Sequence, residues 1–129
     1  MQTPSPSMHS VDVRSILPSD WNAERDVLLI VGEGASIIAK PFLRFGLRRV
    51  VVMFPRPMKP EEPPAGCSVV CSRGELNRTL QLLGHDAAGR FALLRTPSCS
   101  LPEAETEAIR GLATSILKRR AANDHIHQQ

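Results

Sequence analysis

Short apolar runs, each closed by a turn residue, alternate along this chain with segments of helical spacing. Asp26-Val27-Leu28-Leu29-Ile30-Val31 is continuous, β-branched and bounded by charge and glycine, which predicts a strand buried on both faces. Arg49-Val50-Val51-Val52-Met53-Phe54 predicts a second strand of the same kind. Cys67-Ser68-Val69-Val70-Cys71 predicts a shorter third, and Arg90 to Arg95 a fourth. Ile37 to Phe45 reads as a helix closed by Gly46. Pro41 lies inside it, and the hydrogen bond it removes costs about 3 kcal/mol, so an irregular start or a bend near Lys40 is expected.

Two further helices carry start signals. Ser72-Arg73-Gly74-Glu75 matches a capping box, followed by Leu76, Leu80 and Leu83 at helical spacing and a closing Gly84. Ser100-Leu101-Pro102-Glu103 matches a second box. Ile109, Leu112, Ala113, Ile116 and Leu117 then form an amphipathic stripe. Acids at Glu103, Glu105 and Glu107 and bases at Lys118, Arg119 and Arg120 complement that helix's dipole.

The order is β-α-β-loop-β-α-β-α, which predicts an α/β chain with a mostly parallel sheet of about four strands and about three helices, a small Rossmann-like three-layer domain. That domain is expected over residues 23–122, with a proline-rich loop at 55–66 where a regular fold would place a helix. Residues 1–22 are expected to form a flexible arm, with a short strand at Val11 to Ile16 and Trp21 anchoring its end. Residues 123–129 are expected to be a frayed polar tail.

Composition narrows the function classes. At 129 residues the chain fits one domain, with 42% hydrophobic and 22% charged residues. No apolar run approaches the roughly 20 residues that span a bilayer, and Met1 to Ser10 has neither the basic start nor the apolar centre of a secretory signal, so a cytoplasmic address is expected. Cys67, Cys71 and Cys99 are read as small packing residues, since a zinc site needs four convergent ligands. A net charge of +3 with only five aromatic residues and no tyrosine argues against nucleic-acid binding.

Candidate chemistry centres on Gly32-Glu33-Gly34-Ala35-Ser36, between the first strand and first helix. Glycines there let backbone approach a phosphate, while the helix start supplies amides. The competing explanation is a turn that needs glycine for steric reasons alone. Ligands of a parallel sheet bind beyond the carboxyl ends of its strands. Glu33, Ser36, Arg56, Lys59, Ser72, Arg73, Thr96, Ser98 and Ser100 would all lie at that edge. Ser36, Arg56, Ser72 and Arg73 of this edge, together with Gly32 and Gly34 of the turn, are the expected anion-binding set.

Residues 26–54 resemble the opening βαβ unit of Rossmann-type nucleotide-binding domains. That resemblance implies a nucleotide at the glycine turn. The third glycine of the fingerprint is replaced by Ile37, and Phe54-Pro55-Arg56 stands where an acid would hold a ribose. Arg56 and Lys59 would instead suit a 2′-phosphate. Gly32-Glu33-Gly34-Ala35-Ser36 is also similar to the first turn of the sugar isomerase (SIS) type of phosphosugar-binding domain. Cys71-Ser72-Arg73-Gly74-Glu75-Leu76 resembles that family's Ser-Gly-Glu-Thr turn, with Arg73 in place of a serine and Leu76 in place of a threonine.

There is no nucleophile elbow and no Walker sequence. His9, His85, His125 and His127 have no partner that would make a general base, so no catalytic residue is named and an enzyme is not expected. Two functions stand. The first is a module binding a nucleotide or phosphorylated metabolite at the carboxyl edge, its cofactor unnamed. The second is a non-catalytic accessory or regulatory protein that meets protein partners, or a second copy of itself, on a degenerate Rossmann-like scaffold.

Overall fold

In a computed structural model describing residues 13–83 and 90–127, with side chains through Ile116, four strands form one all-parallel sheet. They are β1 (Val27–Val31), β2 (Val50–Met53), β3 (Cys67–Val70) and β4 (Phe91–Arg95), in the order β3-β2-β1-β4. The four helices are α1 (Val13–Ile16), α2 (Ala35–Arg44), α3 (Arg73–Leu83) and α4 (Glu103–His127). The fold is α/β and three-layered, consistent with a small Rossmann-like domain. β1 and β2 are central, which explains why their sequences are apolar throughout rather than alternating.

The two faces of the sheet make two cores. Leu28, Ile30, Val50 and Val52 pack against Ile38, Ala39 and Phe42 of α2, joined by Val13 and Leu17. Val27, Leu29, Val31, Val51 and Met53 pack against Leu76 and Leu80 of α3 and Ile109, Ala113 and Ile116 of α4. β3 and β4 are edge strands, and most of their residues are only half-buried.

Local departures from the sequence reading have physical causes. Residues 13–16 form a helical turn instead of a strand, because Val13 and Leu17, four apart, both reach the core, and Leu17 N–H donates to Val13 C=O. Val13 and Leu17 of this segment are buried in the core, while the residues between them are exposed. α2 starts two residues earlier than expected, at Ala35, and runs through Pro41 to Arg44. Pro41 sits four residues after the exposed Ile37, so the carbonyl it frees lies on the solvent side of the helix. The end of α2 fits a Schellman motif: Gly46 (φ 106°) donates to Leu43 C=O and Leu47 to Phe42 C=O.

The Ser72 capping box forms as expected. Glu75 N–H donates to Ser72 Oγ at 3.1 Å, and the Glu75 carboxylate accepts from Ser72 Oγ and from Cys71 N–H. The Ser100 box does not form, because Ser100 is bound elsewhere. α4 starts at Glu103 and continues to His127, past the expected start of the tail. The calls on Gly84, His9 and His85 lie outside the described residues.

Phe42 is fully buried and Phe45, three residues on, is 53% exposed. Phe42→Ala is expected to cost about 3–5 kcal/mol in urea unfolding, and Phe45→Ala about 0.5 kcal/mol or less. Equal losses would mean that α2 presents a different face to the sheet.

Candidate functional site

The carboxyl ends of β1 and β4 diverge toward opposite faces through their connections, which makes the gap between them the switch point where ligands bind in open parallel sheets. Here the chain itself fills that gap. Gly32 is in the left-handed region (φ 121°) and donates its N–H to Met53 C=O at 3.1 Å. A side chain at Gly32 would overlap Thr96 Oγ1 and place its Cβ 2.7 Å from Cys99 Cβ. The turn from Thr96 to Cys99, closed by Cys99 N–H on Thr96 C=O, therefore lies directly on Gly32. Glycine is required at 32 by the chain's own packing.

Glu33 bridges the same gap. Its carboxylate accepts Ser100 N–H at 3.1 Å and Ser100 Oγ–H at 2.7 Å. The hydroxyl bond to Ser100 and then backbone hydrogen bonds hold the Glu33 carboxyl below its ordinary value of 4.5. Glu33 thus secures the segment after β4. Arg95 completes the clasp, its guanidinium donating to the carbonyls of Cys99 and Leu101.

The amides at the start of α2 are also taken. Gly34, at φ 88°, is the N-cap and has no side chain to serve them. Glu61, from the proline-rich loop after β2, supplies the anion. Gly34 N–H donates to its Oε2 at 2.7 Å and Ser36 N–H to its Oε1 at 3.3 Å. A carboxylate bound by two amides at a helix start occupies the place and the charge expected of a ligand phosphate. Glu61 was not among the sequence candidates. The only signal for it was an acid in a loop that replaces a helix, 27 residues from the amide it binds.

The remaining expected residues do not converge. Ser72 is exposed and caps α3. Arg73 is turned toward α4, where it pairs with Glu105 at 2.6 Å. Arg56 is exposed on the loop, one residue after Pro55. Ser36 and Thr96 are buried at this edge, and their hydroxyls have no hydrogen-bond partner among the described residues. Burial pushes the Cys67 thiol up to about 11, which keeps it protonated and unreactive at neutral pH. Among the described residues no three of His, Cys, Asp and Glu gather as metal ligands, and no helix is long and apolar enough to cross a membrane.

Comparison with protein-family models, with curated proteins and with solved structures found no match for this chain.

Two tests follow from this packing. Gly32→Ala is expected to destabilise the fold several times more than Gly34→Ala. Gly34 has open space around it, so only its left-handed backbone is penalised there, by about 1–2 kcal/mol. Equal costs would show that the Thr96 turn does not rest on Gly32. The second test uses pH. The stability that ionised Glu33 contributes is complete above its ordinary value of 4.5 and is lost as pH falls through its lowered native value. Melting curves of Glu33→Gln should therefore show a shallower acid decline than wild type; a parallel decline would remove Glu33 from the account.

Proposed function

We propose that this protein is a non-catalytic accessory domain that works through contacts with other proteins, on a Rossmann-like scaffold whose ligand edge is closed by its own side chains. The observation that carries this reading is Glu61 seated on the Gly34 and Ser36 amides. It is supported by Glu33 across the switch point and by Glu75 at the start of α3. Three glutamates thus serve the three segments that would otherwise offer amides to an anion at this edge. An incoming phosphate would have to expel a carboxylate that is already paired, and would gain only the difference between the two.

The outer edge of β4 favours protein contact. Arg90 C=O and Thr96 N–H bond inward to β1, and the alternation of a parallel ladder turns the N–H and C=O groups of Phe91, Leu93 and Arg95 outward. No strand pairs with that side among the described residues. The strand is Phe-Ala-Leu-Leu-Arg, without proline and with its charge only at the end. Such an edge accepts an added strand from a partner or a second copy.

A second reading rests on the buried, unpartnered hydroxyls of Ser36 and Thr96. In it, the carboxyl edge binds a nucleotide or phosphorylated metabolite, and Glu61 is displaced when the ligand arrives.

A thermal-shift panel separates the two readings: NAD, NADP, S-adenosylmethionine, purine nucleotides, sugar phosphates and inorganic phosphate. A ligand at about 100 times its Kd adds roughly 2.7 kcal/mol of stability. The accessory reading expects no shift with any of them. A reproducible shift with one class would replace it with the second reading.

A further inference from the structure

The two edges of the sheet are not alike. On β3, Phe54 N–H donates to Val70 C=O, so Cys67, Val69 and Cys71 face outward, and the outward amide of Cys71 is already taken by Glu75. β4 is one residue longer, and the outward groups of Phe91, Leu93 and Arg95 have no strand beside them among the described residues. Native edges are commonly guarded by a projecting charge or a proline. β4 has no proline, and both of its flanking arginines are bound to their own chain: Arg90 to Asp20 and Asp26, Arg95 to the carbonyls of Cys99 and Leu101. All five residues of β4 remain half-buried, where β1 and β2 are buried throughout.

A second β4 meets every outward group of the first. With a two-fold axis at Leu93 and the strands antiparallel, Leu93 faces the partner's Leu93 and Phe91 faces the partner's Arg95. Facing residues of this kind exchange both of their hydrogen bonds, so no outward N–H or C=O of the strand is left over. Between them Ala92 faces the partner's Leu94. These side chains lie on the α2 face of the sheet and are only partly buried, so the pair covers them. Charge selects the antiparallel direction. It sets the two Arg95 residues four positions apart along the seam, about 14 Å at the usual rise of a strand, each opposite a Phe91 ring. An in-register parallel pair would put them side by side. The chain outside the described residues has no strand pattern to offer instead: 1–12 contains Pro4 and Pro6, and 84–89 runs from glycine to glycine with no β-branched residue.

We propose that this protein forms a two-fold dimer through β4, joining two four-stranded sheets into one of eight strands with β3 at both ends. The proposal rests on the reading of β4 as a contact edge and names the partner as a second copy of this chain. Because the pair is closed and β3 is blunted by Glu75, association stops at two.

The experiment follows the full chain from about 5 to about 500 µM by sedimentation velocity, with amide hydrogen exchange read by NMR at both ends of that range. A monomer–dimer equilibrium is expected. The amides of Phe91, Leu93 and Arg95 should exchange about tenfold more slowly at the higher concentration, while those of Ala92 and Leu94, already bonded to β1, should not change. Leu93→Pro removes an outward N–H that β1 does not use and should stay monomeric; if that variant does not fold, the exchange pattern of the wild type carries the test. A chain that is monomeric throughout, with the three outward amides exchanging freely, overturns the dimer and leaves the contact edge open to a different protein. Outward amides protected at every concentration in a monomer overturn both, because the edge is then covered by its own chain. A dimer in which those amides exchange freely, or one that survives Leu93→Pro, also overturns the proposal.

Discussion

A helix that starts at the carboxyl end of a buried strand begins with backbone amides that have no partner inside the helix, and something negative or oxygen-bearing has to meet them. In this chain Gly34 stands at the cap position and offers no side chain, so the need passes to Glu61 from the loop after β2. Most of the carboxyl edge follows from that contact. It ties the largely exposed proline-rich loop to the edge through one side chain, beside the two left-handed glycines Gly32 and Gly34. It also leaves Glu33 free to reach across to Ser100 and close the gap beside β4.

The same logic runs through the other two starts at this edge. Glu75 returns to Cys71 and Ser72 ahead of α3. The Ser100 segment ahead of α4 is served by Glu33, and Pro102 leads into the helix with no N–H of its own to satisfy. A distant glutamate serves the start of α2, a local one the segment that opens α3, and Glu33 the Ser100 segment ahead of α4. The amides at the start of α2 and of Ser100 ahead of α4 are thus met from within the chain.

How much of this was legible in the sequence divides along the range of the interactions. The four strands could be read because Val27–Val31 and Val50–Met53 are buried on both faces and so are apolar without interruption. The Ser72 box could be read because its two residues are three apart. The Ser100 box had the same local pattern and failed, because Glu33, 67 residues away, competes for both the amide and the hydroxyl of Ser100. Glu61 was invisible for the same reason. Nothing within a few residues of Pro60 or Glu62 marks it as the partner of Gly34. Gly32 was legible as a residue that must be glycine, but whether a phosphate or the Thr96 turn required it could be decided only in three dimensions.

The most direct test of a self-filled edge is an NMR titration of the Gly34 and Ser36 amide resonances with inorganic phosphate, in wild type and in Glu61→Ala. The account predicts that both amides stay unmoved in wild type and shift saturably once the Glu61 carboxylate is removed. Saturable shifts at Gly34 and Ser36 in the wild-type protein would contradict it, because those amides would then be open to an outside anion.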